Sequence, residues 1–295
     1  MTHKGRGYYR ERNRTHLLLV LPDVILYTVF SVFPILLGIY YSFTDWDGIR
    51  KSYQFIGLRN YIKMFTDKRF LNSVSFNVWY TILLVIVVTV LSVILGILLN
   101  QKIKGQSFFR SLYFFPAVIS LLTGGLIFNQ IFGRGIPFLG EALEVEFLQK
   151  NILASKTLAV YGVLFVNVWQ GVAIPTVLVM SGLQTVPHEL VEAASLDGAT
   201  KWQIFRYLTM PFLRPTISMI IILNLKSGLM LYDYVVALTS GGPARATESL
   251  TLLIYTQAFD EMKFSYSIAE SIVVSGIIIL ISVLQIRNSN RKKVY

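Results

Sequence analysis

The sequence predicts an all-α integral membrane protein with six transmembrane helices. Of its 295 residues, 54% are hydrophobic and only 15% are charged, and the mean hydropathy is +0.58, whereas a soluble domain carries about 25% charged residues. A helix needs roughly 18 or more apolar residues to cross a hydrocarbon core of about 30 Å. Runs of that length occur at residues 17–42, 78–99, 112–131, 158–180, 212–238 and 268–286.

The first run is predicted to be a retained span rather than a signal peptide. It follows the basic tail 1–16, as a signal sequence would, but the apolar region of a signal peptide is only about 7–15 residues long and precedes a small-x-small cleavage site. The run is longer and shows no such site. The chain contains no cysteine, so disulfide bonds, thiolate metal sites and cysteine nucleophiles are excluded.

The distribution of lysine and arginine predicts that both termini are cytoplasmic. The tails 1–16 and 287–295 are basic, and six spans place them on the same side of the membrane. Together with the second and fourth loops they hold fifteen basic and four acidic residues, against eleven and nine in the remaining loops. The basic residues flank spans instead of forming one stripe, so the expected partners are anionic membrane lipids and no nucleic acid.

A polar segment at residues 185–211, between the fourth and fifth runs, predicts two short helices. Thr185 is predicted to cap the first helix. Gly198 stands where the end of that helix needs a positive φ. Thr200 can cap a second helix, which Pro211 is expected to end or kink at the bilayer surface.

Periodicity alone leaves two interpretations of this segment open. Leu190, Val191 and Ala194 share one face of the first helix, and a helix this short is marginal unless something covers that face. The cover is either the protein's own inner surface or lipid headgroups, or it is a separate protein.

The residues of the segment resemble a known signature. Glu192-Ala193-Ala194, followed by Gly198 and by Leu208-Thr209-Met210-Pro211, is similar to the EAA motif of the inner-membrane permease subunits of binding-protein-dependent ATP-binding-cassette (ABC) importers. The family pattern ends on Ile-x-Leu-Pro, where this chain has Leu208 and Met210. The resemblance implies a cytoplasmic pair of coupling helices that sits in a groove of a separate ATPase subunit. It assigns this coupling role to Glu192, Ala193, Ala194, Asp197, Gly198, Trp202 and Pro211.

Within this segment, the side chains suggest how a rigid connector is built. We expect Glu192 to form a charge-assisted hydrogen bond with the ATPase or with a nearby basic residue. We expect Trp202 and Phe205 to fix the second helix against the bundle.

Two further stretches resemble the carbohydrate-importing branch of that family, which includes maltose, oligosaccharide and glycerol-phosphate permeases. They are residues 55–61 (FIGLRNY) and residues 238–250 (LTSGGPARATESL). The second is similar to the first permease of the maltose type, so the implied pore partner is a second, different permease chain. The resemblance also implies two copies of an ABC ATPase that hold ATP and magnesium, an extracytoplasmic sugar-binding protein, and a location in the bacterial cytoplasmic membrane.

Polar side chains in the fourth and fifth runs are candidates for the substrate path, because intramembrane polar groups usually face a cavity or a partner. A mixture of amides, carboxylates and aromatic rings suits a carbohydrate. The same side chains can instead join helices to one another, and Lys226 with Asp233 can form an internal ion pair. The path candidates are Asn167, Trp169, Gln170, Asn224, Ser227, Tyr232 and Asp233.

The sequence shows no motif for chemistry of its own. It lacks the phosphate-binding pattern GxxxxGK[ST], and its three histidines have no ligand spacing, so we expect a transport subunit without a cofactor or metal. Two alternatives remain. One is a stand-alone carrier driven by an ion gradient, in which Lys226 and Asp233 form a proton relay; the other is a membrane scaffold or enzyme.

Overall fold

The computed structural model describes residues 19–101 and 105–291, and these are mostly helical. Among them there is no strand, and the one extended pairing is an isolated antiparallel bridge between Thr44 and Phe55. The all-α prediction is therefore confirmed for the described residues. Several parts of the topology prediction lie outside the described residues, namely the tail 1–16, Lys102, Lys104, Lys292 and Lys293.

We number the helices in chain order. Short 3₁₀ turns at Phe115–Val118 and Ile152–Ala154 lie between them. The helices are α1 Leu19–Ser42, α2 Arg59–Met64, α3 Lys68–Leu99, α4 Gln106–Phe114, α5 Leu121–Ala142, α6 Ala159–Gly171, α7 Ala173–Leu183, α8 His188–Leu196, α9 Lys201–Leu229, α10 Asp233–Leu238, α11 Leu250–Tyr255 and α12 Phe264–Arg291.

Four helices of the described part are long and apolar enough to cross a membrane, and the number of candidate spans rises to six if each of two bent helix pairs counts as one span. The four are α1, α3, α9 and the portion Phe264–Gln285 of α12. They contain residues 19–42 of the first predicted run, the whole run 78–99, and residues 268–285 of the last run; residues 17 and 18 lie outside the described residues. The structure extends the second of these backwards to Lys68, because the side chain of Asp67 accepts hydrogen bonds from the first backbone N–H groups and caps the helix there.

The third and fourth predicted spans are not straight helices. The region 112–131 is interrupted after Val118, and the helical segments on either side meet at 97°. The region 158–180 bends by 45° between α6 and α7. A proline accompanies each break, Pro116 in the 3₁₀ turn and Pro175 in the first turn of α7. Proline lacks a backbone N–H and crowds the preceding turn, so it favours a break at these places.

The fifth predicted span, 212–238, has different bounds in the structure. Helix α9 begins at Lys201 and ends at Leu229, after which Met230 (φ −99°, ψ 26°) leaves helical geometry. The residues up to 238 belong to the separate helix α10. The apolar run therefore contains a helix end that its composition does not reveal.

Pro211 neither ends α9 nor separates it from the preceding polar segment. A π-helical segment at Ile204–Thr209 comes directly before Met210, whose N–H donates to the carbonyl of Phe205. This wider turn changes the hydrogen-bond register just before the proline and so accommodates the missing N–H. The second short helix and the fifth span are one continuous helix.

The larger of two compact units comprises Phe65–Leu253 and Val274–Tyr295. Within it, α3 packs against both α7 and α9, and small residues allow close approach. A Cβ atom on Gly228 of α9 would lie 2.5 Å from Thr81 Oγ1 and 2.9 Å from Thr81 Cα. Val179 of α7 and Leu213 and Ile220 of α9 form a buried cluster at this contact. A second buried cluster joins α3 to α6 and α10 and includes Tyr80, Leu84, Val88, Val163, Val166, Leu231 and Val235.

The smaller unit comprises Met1–Met64 and Ile254–Val273. In it, the buried side chain of Asn60 donates hydrogen bonds to the carbonyls of Ser42 (2.8 Å) and Thr44 (2.9 Å) and so closes the end of α1. Thr44 Oγ1 lies 2.9 Å from Ser265 Oγ. Through Asn60, the FIGLRNY stretch therefore stabilises the end of α1.

In the same unit, the backbone N–H groups of Arg50 and Ile49 donate hydrogen bonds to Asp47 and lower the pKa of its carboxyl group to about 2.

The approach at Gly228 generates a stability prediction. Gly228→Ala is expected to destabilise the protein by about 1–3 kcal/mol, because the new methyl group would clash with the backbone of Thr81 as well as with its side chain. In thermal unfolding of the detergent-purified protein, this corresponds to a midpoint lower by roughly 5 °C.

Gly276→Ala is the matched control, because Gly276 lies within α12 and a Cβ there meets nothing within 4 Å. We expect this change to leave the midpoint unchanged or to raise it slightly, since alanine favours helix more than glycine does. Equal losses in the two variants would show that the packing of α3 on α9 is not the cause.

Candidate functional site: an exposed helical hairpin and a polar helix break

Helix α8 lies almost free of the rest of the chain. None of its residues is buried, and Leu196 at its end is 89% exposed. Val191 and Ala194 of the predicted apolar face are only half-buried. Glu192, Ala193 and Asp197 are exposed. The face predicted to need a cover is therefore left largely uncovered by the described residues.

The start of α8 differs from the prediction. Its N-cap is Pro187, in extended conformation and without a side-chain cap. Thr185 does not cap this helix, because its hydroxyl donates instead to the carbonyl of Gly182 at 2.7 Å. Thr185 thus completes the end of α7 rather than opening α8.

The turn after α8 is built as predicted. Gly198 has a φ of +82°, its N–H donates to Ser195 O at 3.1 Å, and the N–H of Ala199 donates to Ala194 O at 3.0 Å. This pair of bonds is the Schellman arrangement that ends a helix and reverses the chain. Glycine suits this position because a side chain strains a backbone of positive φ.

A capping box then starts α9. The Thr200 hydroxyl accepts from the N–H of Gln203 at 3.3 Å, and the Gln203 Oε1 atom accepts from the N–H of Thr200 at 2.7 Å. The reciprocal bonds satisfy two helix-end donors.

Residues 188–209, which we call the hairpin, form two helical arms joined by the turn at Gly198. An open cleft of about 420 Å³ lies between the arms.

Trp202 takes a different position from the one expected. Its side chain is 64% exposed, and its ring contacts Phe205 of the same helix with the centroids 5.7 Å apart. Trp202 therefore does not fix the helix against the bundle; it adds to the uncovered apolar surface of the hairpin.

Three path candidates are buried and hydrogen-bonded within the larger unit. Asn167 donates from Nδ2 to the Tyr80 hydroxyl at 2.9 Å. Gln170 donates to the carbonyl of Ile119 and accepts from the Tyr234 hydroxyl at 3.0 Å. These bonds connect α6 to neighbouring elements, so both amides join helices.

The third buried candidate is Asn224, which donates to Ile220 O of its own helix at 2.8 Å. Trp169 is half-buried and packs edge-on against Phe128, with ring centroids 4.9 Å apart. Trp169 also lines an open, mostly apolar cleft of about 490 Å³.

The remaining candidates lie at the break between α9 and α10. Ser227 and Asp233 are exposed and Tyr232 is half-buried. Asp233 is the first residue of α10. Lys226 is also exposed, and among the described residues it forms no ion pair with Asp233, because the break separates the two helices. The break therefore presents a hydroxyl, a carboxylate and an ammonium group at the surface of the chain.

Asn77 holds this break together, and the sequence analysis did not identify it. Its buried side chain donates to the carbonyls of Gly228 (3.0 Å) and Leu229 (3.1 Å) and accepts from the N–H of Leu250 (2.8 Å). One amide thus satisfies the end of α9 and the start of α11. An asparagine immediately before a long apolar run was the available signal.

A second missed contact fixes the loop before α11. Arg69 donates to both carboxylate oxygens of Glu248, at 2.9 and 2.6 Å, and both side chains are largely buried. Thr247 Oγ1 donates to Gly242 O at 2.7 Å within the same loop. The LTSGGPARATESL stretch is thus held rigidly beside the helix break.

The part of the chain that the structure describes contains no group of three or more histidine, aspartate or glutamate side chains placed to hold a metal ion.

Comparison with known proteins places the chain in a family. The profile of the family described as "Binding-protein-dependent transport system inner membrane component" matches residues 89–294. The chain is 44% identical over 276 residues to the multiple sugar-binding transport system permease protein of Streptococcus mutans, covering 94% of this chain and 95% of the relative. It is 30% identical to the probable starch degradation products transport system permease protein of Thermoanaerobacterium thermosulfurigenes, covering 94% of each.

A solved structure has the same fold. The bacterial alginate ABC transporter, in complex with an alginate pentasaccharide-bound periplasmic protein, matches with a TM-score of 0.82 and 17% identity over 95% of this chain and 96% of the matched chain. The fold and the family profile agree over the helices that carry the hairpin and the break. The chain belongs to the family of inner-membrane components of binding-protein-dependent transport systems.

Proposed function

We propose that this chain is one transmembrane permease subunit of an ATP-driven importer that carries a sugar or oligosaccharide across the bacterial cytoplasmic membrane. Family membership supports the transport role. The printed names of the relatives, a multiple-sugar permease and a starch-product permease, support a carbohydrate substrate. A stand-alone carrier driven by an ion gradient is disfavoured because the chain belongs to a family of binding-protein-dependent transport components.

The observation that carries the proposal is the uncovered hairpin. A helix with no buried residue and a leucine 89% exposed at its end needs a partner, because apolar side chains of this size gain about 1.5–3 kcal/mol when they leave water. We infer that the partner is an ABC ATPase subunit and that the hairpin is its cytoplasmic coupling element. The residues 192–194 and Gly198 are the EAA signature of this element.

The continuous helix α9 supplies the mechanical link. Its first turns belong to the hairpin and its last turns end at the polar break. When two ATPase subunits close on each other, the hairpin moves with them, and a rigid helix carries the displacement to the break. Alternating access to the two sides of the membrane then follows as a two-state rearrangement.

The assembly that we propose has five chains. This chain pairs with a second, homologous permease to form the translocation path, two ATPase copies bind ATP and magnesium, and an extracytoplasmic binding protein delivers the sugar. In this arrangement both termini are cytoplasmic, in accord with the basic residues at the two ends. This chain performs no covalent chemistry.

We place the substrate path at the helix break. Ser227 and Asp233 offer hydrogen-bonding groups at the surface, with the half-buried Tyr232 beside them, whereas Asn167, Gln170 and Asn224 are buried and hydrogen-bonded inside the chain. A sugar hydroxyl can accept from or donate to such exposed groups. The buried amides serve instead to fix the helices around the break.

The exposed end of α8 generates a prediction about ATPase binding. Leu196→Ser is expected to weaken binding of the ATPase subunit about thirtyfold, because about 2 kcal/mol of apolar burial is lost at the interface. The isolated chain should remain as stable as before, since Leu196 contacts little within it. Titration of the purified ATPase onto the chain in lipid nanodiscs measures the affinity.

Leu143→Ser is the matched control for docking. Leu143 is 66% exposed and lies at the end of α5, outside the hairpin. It should leave ATPase affinity unchanged. Undiminished affinity in Leu196→Ser would show that the end of α8 does not form the ATPase interface.

The second prediction concerns coupling. Gly198→Asp is expected to leave ATP hydrolysis by the assembled complex intact and to lower sugar uptake about tenfold, a typical size for a lost coupling energy. The reason is that a side chain strains the φ of +82° by about 1–2 kcal/mol and so shifts α8 relative to α9. Glu192→Lys should act in the same direction by reversing the charge on the hairpin. Uptake and hydrolysis are measured together in reconstituted vesicles.

Gly105→Asp provides the comparison, because Gly105 also has a positive φ, +78°, but lies before α4. It carries the same type of backbone strain outside the hairpin, so uptake per ATP hydrolysed should stay normal. An equal loss in this variant would point to general destabilisation rather than to the hairpin.

The third prediction separates the two groups of polar residues. Asp233→Asn is expected to reduce sugar uptake without lowering the midpoint of thermal unfolding, because the carboxylate is exposed. Asn167→Ala is expected to lower the stability by about 1–3 kcal/mol, since it leaves the buried Tyr80 hydroxyl without its partner. If Asp233→Asn transports normally, the path does not use this carboxylate.

A further inference from the structure

Two arginines border an apolar cleft on α9. The cleft has a volume of about 360 Å³ and is formed by one helix face, with Arg206, Met210, Arg214 and Ile217 along it and three aromatic side chains, of Trp202, Phe205 and Tyr207, at one end. The π-helical segment Ile204–Thr209 lies within this face and widens the helix there. We call this surface the arginine cleft.

The position of the arginine cleft along α9 matches a membrane interface. From Arg206 to Leu229 the helix is about 35 Å long at about 1.5 Å per residue, roughly 5 Å more than the hydrocarbon thickness of about 30 Å. With Leu229 at one edge of the hydrocarbon, Arg206 lies among the headgroups at the other edge. Arg214 lies about 12 Å deeper and can reach the same layer because long basic side chains extend along apolar surface towards water.

The two guanidinium groups are available to a ligand. Arg206 and Arg214 are exposed, and neither forms a salt bridge or hydrogen bond with any residue of the described part. Arg69 and Arg50, by contrast, are paired with Glu248 and Asp47. Guanidinium groups bind phosphate oxygens in bidentate fashion, so the two positive charges of the cleft favour an anionic ligand.

The apolar part of the cleft indicates which anion. Along the helix, Met210 lies between the two arginines and Ile217 follows Arg214. Trp202 and Tyr207, at the end of the cleft near Arg206, are 64% and 72% exposed. Aromatic rings of this kind favour the headgroup layer. A ligand that fills the whole cleft carries a phosphate and a hydrocarbon chain.

We propose that the arginine cleft is a specific binding site for an anionic phospholipid, with the phosphate between Arg206 and Arg214 and an acyl chain along Met210 and Ile217. The inference requires that α9 lies in a membrane and is independent of the substrate. Trp202, Phe205, Arg206 and Tyr207 belong both to the cleft and to the hairpin, so the experiment includes an arm with the ATPase subunits bound. A specific site on one face of α9 differs from the general electrostatic attraction of basic loops to anionic lipids.

Native mass spectrometry of the full chain tests the proposal. The chain is released from nanodiscs that contain equal amounts of phosphatidylglycerol and phosphatidylcholine, and the retained lipid is identified. We expect preferential retention of phosphatidylglycerol. The variant R206Q/R214Q should lose about thirtyfold in affinity for it, because each basic side chain near an anionic surface contributes about fivefold.

Lys201→Gln is the matched control. Lys201 is exposed on the same helix but does not line the cleft, so it removes one positive charge without touching the proposed contacts. Retention of phosphatidylglycerol by this variant at the level of the unchanged chain supports the proposal. A loss as large as in R206Q/R214Q would overturn it, as would equal retention of the two lipids by the unchanged chain.

Two further arms distinguish other occupants. Displacement of phosphatidylglycerol by excess inorganic phosphate would identify a site for free phosphate and overturn the proposal. If the complex with ATPase subunits retains no phosphatidylglycerol while the chain alone does, the cleft belongs to the protein interface, which also overturns it. Retention in both preparations, insensitive to phosphate, supports the lipid site.

Discussion

The buried amide of Asn77 is the interaction on which the shape of the candidate path depends. A helix that stops in an apolar environment leaves carbonyl groups without partners, and each unsatisfied group costs free energy. Asn77 donates to two of these carbonyls at the end of α9 and accepts from the N–H that begins α11. One side chain on α3 thereby stabilises the interruption between α9 and α10. The polar groups at the interruption are exposed because of it.

The same helix connects this interruption to the hairpin. Since Pro211 lies within α9 rather than at its end, one continuous helix joins the hairpin to the polar break. The close approach of Gly228 to Thr81 and of Gly96 to Val179 fixes α3 between α9 and α7. A displacement at the hairpin therefore acts on a packed group of helices. The rigid arms of the hairpin, closed by a Schellman turn and a capping box, are consistent with such a role.

The sequence predicts well what depends on composition and on local backbone chemistry. The all-helical class, the apolar runs, the positive φ at Gly198 and the cap at Thr200 follow from hydropathy and from single-residue preferences. The resemblance of the EAA segment added the family, which the profile match confirmed. These features are encoded by neighbouring residues, so they can be recognised without a structure.

The parts that sequence reasoning missed depend on contacts between distant residues. A hydropathy profile contains no information on the direction of a helix axis, so it could not predict the bends of 97° and 45° in the regions 112–131 and 158–180. Thr185 was expected to cap α8, but its hydroxyl donates instead to Gly182 O in the preceding helix α7. Asn77 and the Arg69–Glu248 pair join segments more than 150 residues apart, and only the fold brings them together.

The exposure of Leu196 has a consequence for the life of the subunit in the cell. In the arrangement proposed above, an unassembled copy displays the apolar side chain of Leu196 to the cytoplasm. Proteases and chaperones that survey the membrane recognise such surfaces, so copies made in excess of their partners are removed or held. Balanced synthesis of the subunits is thus favoured by the same surface that lets them assemble.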